Sequence, residues 1–128
     1  MKILIAEDDP NFRALLLEIL TESGHQPLIE ENGLLAWDRL NKDGADMAIL
    51  DVNMPVMTGF ELLKKIRHCD KHKNMPVIML TIREFVSDQV EGYDTGADDY
   101  PTKPFDRHVL LSRIGVLERR IIKKRKGT

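Results

Sequence analysis

DMAILDVNMPVMTG, residues 46–59, is the stretch on which the fold turns. Its apolar run Met47-Ala48-Ile49-Leu50 ends on a charged residue, Asp51, and the turn formers Asn53, Pro55 and Gly59 follow at once. An unbroken apolar run of this length reads as a strand covered on both faces, the interior strand of a parallel sheet. A carboxylate at the end of such a strand is costly unless something there uses it.

Working outward, apolar runs of strand length alternate with amphipathic stretches. KILIAE (2–7), QPLIEE (26–31), DMAILD (46–51), PVIMLT (76–81) and DDYPTK (98–103) are the strand candidates. The first, third and fourth are continuously apolar. The second and fifth are more polar and carry Pro27 and Pro101, which lack the donor a central ladder needs, so they belong at the edges. Between them, Phe12, Leu15, Leu16, Ile19 and Leu20 predict a helix with Pro10 in its first turn and Gly24 as its stop. Leu34 to Leu40 predict a shorter helix ending before NKDG (41–44), and Phe60, Leu62, Leu63 and Ile66 a third starting at Gly59. Phe85, Val86, Val90 and Tyr93 predict a fourth closed by Gly96; Leu110, Ile114, Leu117 and Ile121 give the fifth its stripe. Repeated βα units imply an α/β, doubly wound parallel sheet with right-handed crossovers. Edge character in strands two and five gives the order 2-1-3-4-5.

The chain is 128 residues long, enough for one domain with one core, and no repeat or linker interrupts it before about residue 119. A formal net charge of −2 gives no global argument for binding nucleic acid or membrane. Cys69 is the single cysteine, which excludes an internal disulfide and fits a reducing, cytoplasmic compartment. The N-terminal apolar run is too short for a signal peptide, and no segment approaches the roughly 20 apolar residues of a membrane span.

In a sheet of this order, ligands bind outside the carboxyl ends of the strands, at the switch point between strands one and three. Strand one ends in Glu7-Asp8-Asp9, strand three in Asp51 with Asn53 beyond it, strand four in Thr81 and strand five in Lys103-Pro104. Carboxylates about 4 Å apart repel by roughly 4 kcal/mol per pair at an effective dielectric near 20, so their coexistence as anions calls for a cation. A hard, oxygen-preferring dication, Mg²⁺, suits them. With Lys103 and the Thr81 hydroxyl, these groups make a site for a phosphoryl group, and a strand-end carboxylate is itself a nucleophile toward phosphorus. Asp51, opening the loop of the central strand, is the candidate acceptor. Asp9 reads either as a further acid of the site or as the cap of the first helix.

ILIAEDD, ILDVNMPVMTG, PVIMLT and GADDYPTKPF, in that order and spacing, resemble the receiver domains of two-component response regulators over about residues 2–120. The resemblance implies a flavodoxin-like receiver fold with five helices over residues 1–120, with 121–128 as a basic helix end or linker. It implies that Asp51 accepts a phosphoryl group from a sensor histidine kinase or phosphotransfer protein. Asp8, Asp51 and the backbone carbonyl of Asn53 would bind Mg²⁺, with Glu7 acting through water. Thr81 and Lys103 would hold the phosphoryl oxygens, Tyr100 would turn inward as Thr81 moves, and the Lys103-Pro104 bond would be cis. The signal would pass from the face of the fourth helix, fifth strand and fifth helix to an output domain or downstream protein. The domain would be a signalling module, not an enzyme, that assists its own phosphorylation and dephosphorylation. An end soon after the basic tail suggests a receiver belonging to a longer regulator, with a stand-alone receiver as the other reading.

Departures from the family pattern carry their own expectations. Ile82 stands where a small residue is usual, and its bulk would slow phosphorylation or hydrolysis or restrict Tyr100. Pro101 would weaken pairing of the fifth strand, and Arg83 lies where side-chain identity tunes phosphate lifetime. Asp98, Asp99, Arg113 and Arg120 fit charge pairs of a dimerisation face, whereas Gln89 and Val109 replace a lysine–glutamate pair usual there; a phosphorylation-driven homodimer is the expectation. HCDKHK (68–73) lacks zinc spacing and sits in a loop. The tail RRIIKKRKGT has six basic residues within 119–126, read as a solvated helix end and not as a nucleic-acid contact. A phosphatase of the haloacid dehalogenase type is the rival reading, but it needs a second acid two residues after the nucleophile, where Asn53 stands. A flavin carrier would want a Ser/Thr/Gly-rich phosphate loop, and EDDPNF repels phosphate. A pseudo-receiver would have lost its acids.

Overall fold

Lys2–Ala6 (β1), Gln26–Glu30 (β2), Met47–Asp51 (β3), Val77–Ile82 (β4) and Thr102–Lys103 (β5) form one parallel sheet in the order β2-β1-β3-β4-β5. Four helices accompany it in the computed structural model, which describes residues 1–82 and 96–126: Pro10–Glu22 (α1), Gly33–Asp43 (α2), Gly59–Arg67 (α3) and Arg107–Arg125 (α4). The helix expected over Phe85 to Tyr93 lies outside the described residues, so α4 is the fifth helix of the sequence reading. Within these residues no helix is long and apolar enough to cross a membrane.

Alternation along the central strands explains why their runs are apolar throughout. Leu4, Ala6, Ala48, Leu50, Val77 and Met79 face one core, built with Ala36 and Leu40 of α2 and Leu62, Leu63 and Ile66 of α3. Their neighbours Ile3, Ile5, Met47, Ile49, Ile78 and Leu80 face a second core, with Leu16 and Leu20 of α1 and Leu110, Ile114 and Leu117 of α4. Side chains in a strand alternate between faces, so strands covered on both sides need apolar residues at every position.

Two elements differ from expectation. Helix α2 continues through Asn41, Lys42 and Asp43, because the chain does not break until Gly44, which adopts φ 71° and returns its N–H to Leu40 O. The fifth strand shrinks to two residues, preceded by an isolated bridge between Ile78 and Asp99. Pro101 accepts from the Thr81 N–H at 3.3 Å but has no N–H to return, and the ladder is interrupted there. Elsewhere Pro10 in the first turn of one helix and Gly59 at the start of another fall where the sequence reading puts them. Pro10 opens α1, and Thr58 and Glu61 form a reciprocal capping box at the start of α3.

Candidate functional site

The carboxyl ends of β1, β3 and β5 open into a cleft of about 470 Å³ lined by Glu7, Asp8, Asp9, Phe12, Asp51, Asn53, Lys103 and Pro104. Each lining group is placed by a local device. After β1, Asp9 takes the N-cap of α1 and accepts from the Asn11 N–H at 2.8 Å, so the cap reading holds, and the residue also lines the cleft. After β3, the Asn53 N–H lies 3.4 Å from Asp51 Oδ1, and the Gly59 N–H donates to Val52 O at 3.0 Å to close the loop. Gly59 is required by packing: a Cβ there would fall 2.2 Å from the carbonyl oxygen of Asp51. Within that loop Val56 has φ 71°, a rare conformation for a β-branched residue, and is exposed. After β5, the Lys103-Pro104 peptide bond is cis.

Lys103 reaches across the cleft. Its Nζ lies 2.9 and 2.8 Å from the two carboxylate oxygens of Glu7 and 3.3 Å from Asp51 Oδ1. The ammonium also stands 4.5 Å from the centre of the Phe12 ring, an attractive placement for a cation. Glu7 and Asp51 are 1% and 5% exposed, so neither charge is well solvated, whereas Asp8 is exposed on the rim. Glu7, Asp8 and Asp51 each offer an oxygen within 4.8 Å of the others, the one such group of metal-ligating side chains among the described residues. Burial, then the Glu7 charge, push the Asp51 carboxyl up to about 7; Lys103 opposes them and a hydrogen bond with Asp8 adds to the rise. An all-oxygen donor set crowded enough to retain a proton near neutrality fits a hard dication, which would relieve the repulsion.

Not every expected residue lines the cleft. Thr81 is fully buried near the end of β4 and is not among the lining residues. Tyr100 is buried too, its ring stacked on Phe60 at 6.3 Å between centroids. The charged residues expected on a dimer face are paired within the chain: Asp99 with Arg113, and Asp98 with Arg67 and, at 4.0 Å, Arg120. In the 68–73 segment, His68 donates to Lys64 O at 2.8 Å, and the buried His72 donates to Asn41 Oδ1 at 3.0 Å, edge-on to Trp37. Ile82 lies in β4, and Arg83 and Gln89 fall outside the described residues.

Two residues that sequence reasoning missed belong to the site. Phe12 reads as an ordinary core position of α1, yet its ring seats Lys103 and touches Phe105 at 6.0 Å. Arg13 donates from Nη1 to the carbonyl oxygens of both Glu7 and Asp8, at 2.9 and 2.8 Å. Nothing in a helical pattern marks an arginine one turn inside a helix for such a task.

A sequence model of the response regulator receiver domain matches residues 3–115, and the chain belongs to that family. Over 120 residues it is 37% identical to the phosphate regulon transcriptional regulatory protein PhoB of Escherichia coli, covering 94% of this chain and 52% of PhoB. The chain thus spans about half the length of the curated relatives it matches. Chemotaxis protein CheY4 of Vibrio cholerae has a solved structure that superposes with a TM-score of 0.85 at 33% identity, covering 91% of this chain and 97% of that one. The receiver domain of the sensor histidine kinase PA1611 from Pseudomonas aeruginosa superposes with a TM-score of 0.82 at 27% identity, covering 94% and 96%; that structure has a magnesium ion coordinated in its active-site cleft.

Proposed function

We propose that this receiver domain is a phosphorylation-activated switch in which Asp51 accepts a phosphoryl group from a histidine kinase or phosphotransfer protein. The observation that carries the reading is the convergence of Glu7, Asp8 and Asp51 oxygens within 4.8 Å, with Lys103 Nζ 3.3 Å from Asp51. Asp8, Asp51 and the Asn53 carbonyl are assigned to Mg²⁺, with Glu7 acting through water. When bound, the ion would neutralise the carboxylates and the charge that develops on the phosphoryl oxygens.

The chain's own residues supply the rest. Asp51 must be ionised to attack, and a bound cation would favour the carboxylate against the burial and the Glu7 charge that raise its pKa. An Asp51 oxygen forms a bond to phosphorus as the phosphorus–nitrogen bond of the donor phosphohistidine breaks, and the imidazole leaves with the electron pair. Lys103 then has a new anion to pair with, and Thr81 a phosphoryl oxygen to approach. Movement of Thr81 would allow Tyr100 to repack, which makes the region around β5 and α4 the output surface. Attack by water on the same phosphorus would reset the switch, with the phosphorus–oxygen bond to Asp51 breaking.

The partners that follow are a sensor kinase on the input side and an output domain or downstream protein beyond α4. A homodimer through the β5–α4 region would require Asp98, Asp99, Arg113 and Arg120 to exchange their present partners. A cytoplasmic setting suits the single thiol and an ATP-derived phosphodonor.

The test is incubation with acetyl phosphate and Mg²⁺, followed by intact mass. One base-labile phosphoryl adduct is expected on the wild type, lost with EDTA and absent in Asp51→Asn. An adduct that persists in the mutant reassigns the acceptor.

A further inference from the structure

The turn Glu7-Asp8-Asp9 carries two of the three carboxylates that converge within 4.8 Å in the cleft but lies outside the regular ladder of β1. Its beginning is tied where the Glu7 N–H donates to Glu30 O at 3.2 Å, and its end where Asp9 caps α1. Between those ties the Glu7 and Asp8 carbonyls point to one atom, Arg13 Nη1, at 2.9 and 2.8 Å. A guanidinium is a planar, rigid donor. One nitrogen bonded to two successive carbonyls fixes the two peptide planes that flank Asp8, and with them the directions in which the Glu7 and Asp8 side chains leave the backbone.

We propose that Arg13 is a positioning residue for the cation site: it holds the Glu7-Asp8 turn in the shape that delivers both carboxylates to one dication. The proposal rests on the phosphoacceptor reading above. Both described hydrogen bonds of the Arg13 side chain go to backbone oxygens, so its action on the ion is indirect, through the orientation of groups that touch it.

Charge and geometry predict opposite signs, which makes the role separable. An arginine beside several carboxylates repels a dication, so removing it by charge alone tightens binding. Removing the two carbonyl bonds frees the turn, and the order it loses must be regained each time the ion binds. Arg13→Met keeps length and helix propensity while deleting both charge and donors.

The experiment is calorimetric titration of wild type and R13M with MgCl₂ at one pH, with melting curves to confirm that both are folded. R13M is expected to bind Mg²⁺ about tenfold more weakly. The Mg²⁺ concentration for half-maximal labelling by acetyl phosphate should rise by the same factor. A merely structural role would lower the folded fraction and the labelling amplitude, leaving that concentration where it was. Binding by R13M equal to or tighter than wild type overturns the proposal. Absence of binding by the wild type overturns the phosphoacceptor reading, and this proposal with it. Should R13M not fold, R13Q decides by the same criterion, since its amide is uncharged and too short to reach both carbonyls.

Discussion

Gly59 lies against the backbone carbonyl of Asp51 so closely that a methyl group there would sit 2.2 Å from the oxygen. The first residue of α3 thereby fixes the height of the loop that follows β3. Gly59→Ala has to move either the helix or the end of β3, and the loss of stability is expected to be about 2–4 kcal/mol. Urea denaturation checks this; a change below about 1 kcal/mol would show that the loop yields freely.

Lys103 is the counter-ion of two nearly buried carboxylates in the absence of metal. Lys103→Met leaves Glu7 and Asp51 without it, and removing one partner of such a buried group is expected to cost about 3 kcal/mol. Added Mg²⁺ should recover part of that loss, because the dication supplies the missing positive charge. Denaturation of the variant with and without Mg²⁺ is the measurement, and an identical midpoint in both conditions would contradict the prediction.

Asp51 should make stability depend on pH. Its carboxyl ionises near 3.8 when unfolded and at about 7 when folded, so between those values the native state holds a proton that the unfolded state has released. Protonation of Asp51 therefore stabilises the metal-free fold fully below pH 3.8, and that contribution is lost as pH rises through about 7. Asp51→Asn removes this dependence and should be more stable than wild type above neutrality, by about 1–3 kcal/mol in EDTA. Melting temperatures of both proteins from pH 5 to 8.5 test it; parallel curves would show that the proton is not there.

Asp46 ties the two ends of the domain together. It accepts from the Lys2 N–H at 2.8 Å and from Arg125 at 2.6 Å. Burial works to raise its pKa, but the Arg125 and Lys2 bonds prevail and hold it below the usual carboxylate value. Its contribution is therefore present above pH 3.8 and lost as pH falls through the lower folded value. Asp46→Ala leaves the Lys2 amide without its acceptor and should cost about 2 kcal/mol. Arg125→Ala breaks only the largely exposed ion pair and should cost less than about 1 kcal/mol. Hydrogen exchange of the last turn of α4 should quicken in both variants.

Much of this was legible in residue order. The sheet order followed from three fully apolar runs and two runs with proline, because burial on both faces leaves little choice of residue. The acids and Lys103 stood out because they end strands. Length was harder to read: Asn41, Lys42 and Asp43 look like a loop, but only a residue with positive φ, Gly44, ends α2. The pairings of Asp98 and Asp99 were not legible, since Arg67 and Arg113 arrive from distant helices. Arg13 and Phe12 were invisible for a related reason. Their work is directed at groups outside the helix, Lys103 for Phe12 and the Glu7 and Asp8 carbonyls for Arg13, and the pattern of a helix records only which side faces inward.

The alternation of β3 between two cores has a further consequence for reactivity. Sliding that strand by one position would swap Ala48 and Leu50 for Met47 and Ile49 in each apolar layer and withdraw Asp51 from the rim. The fit of methyl and methylene groups deep in the interior therefore meters how far the Asp51 carboxylate stands out of the protein. A core substitution remote from the cleft, if it lets β3 creep, would detune the proposed phosphorylation without altering one polar residue.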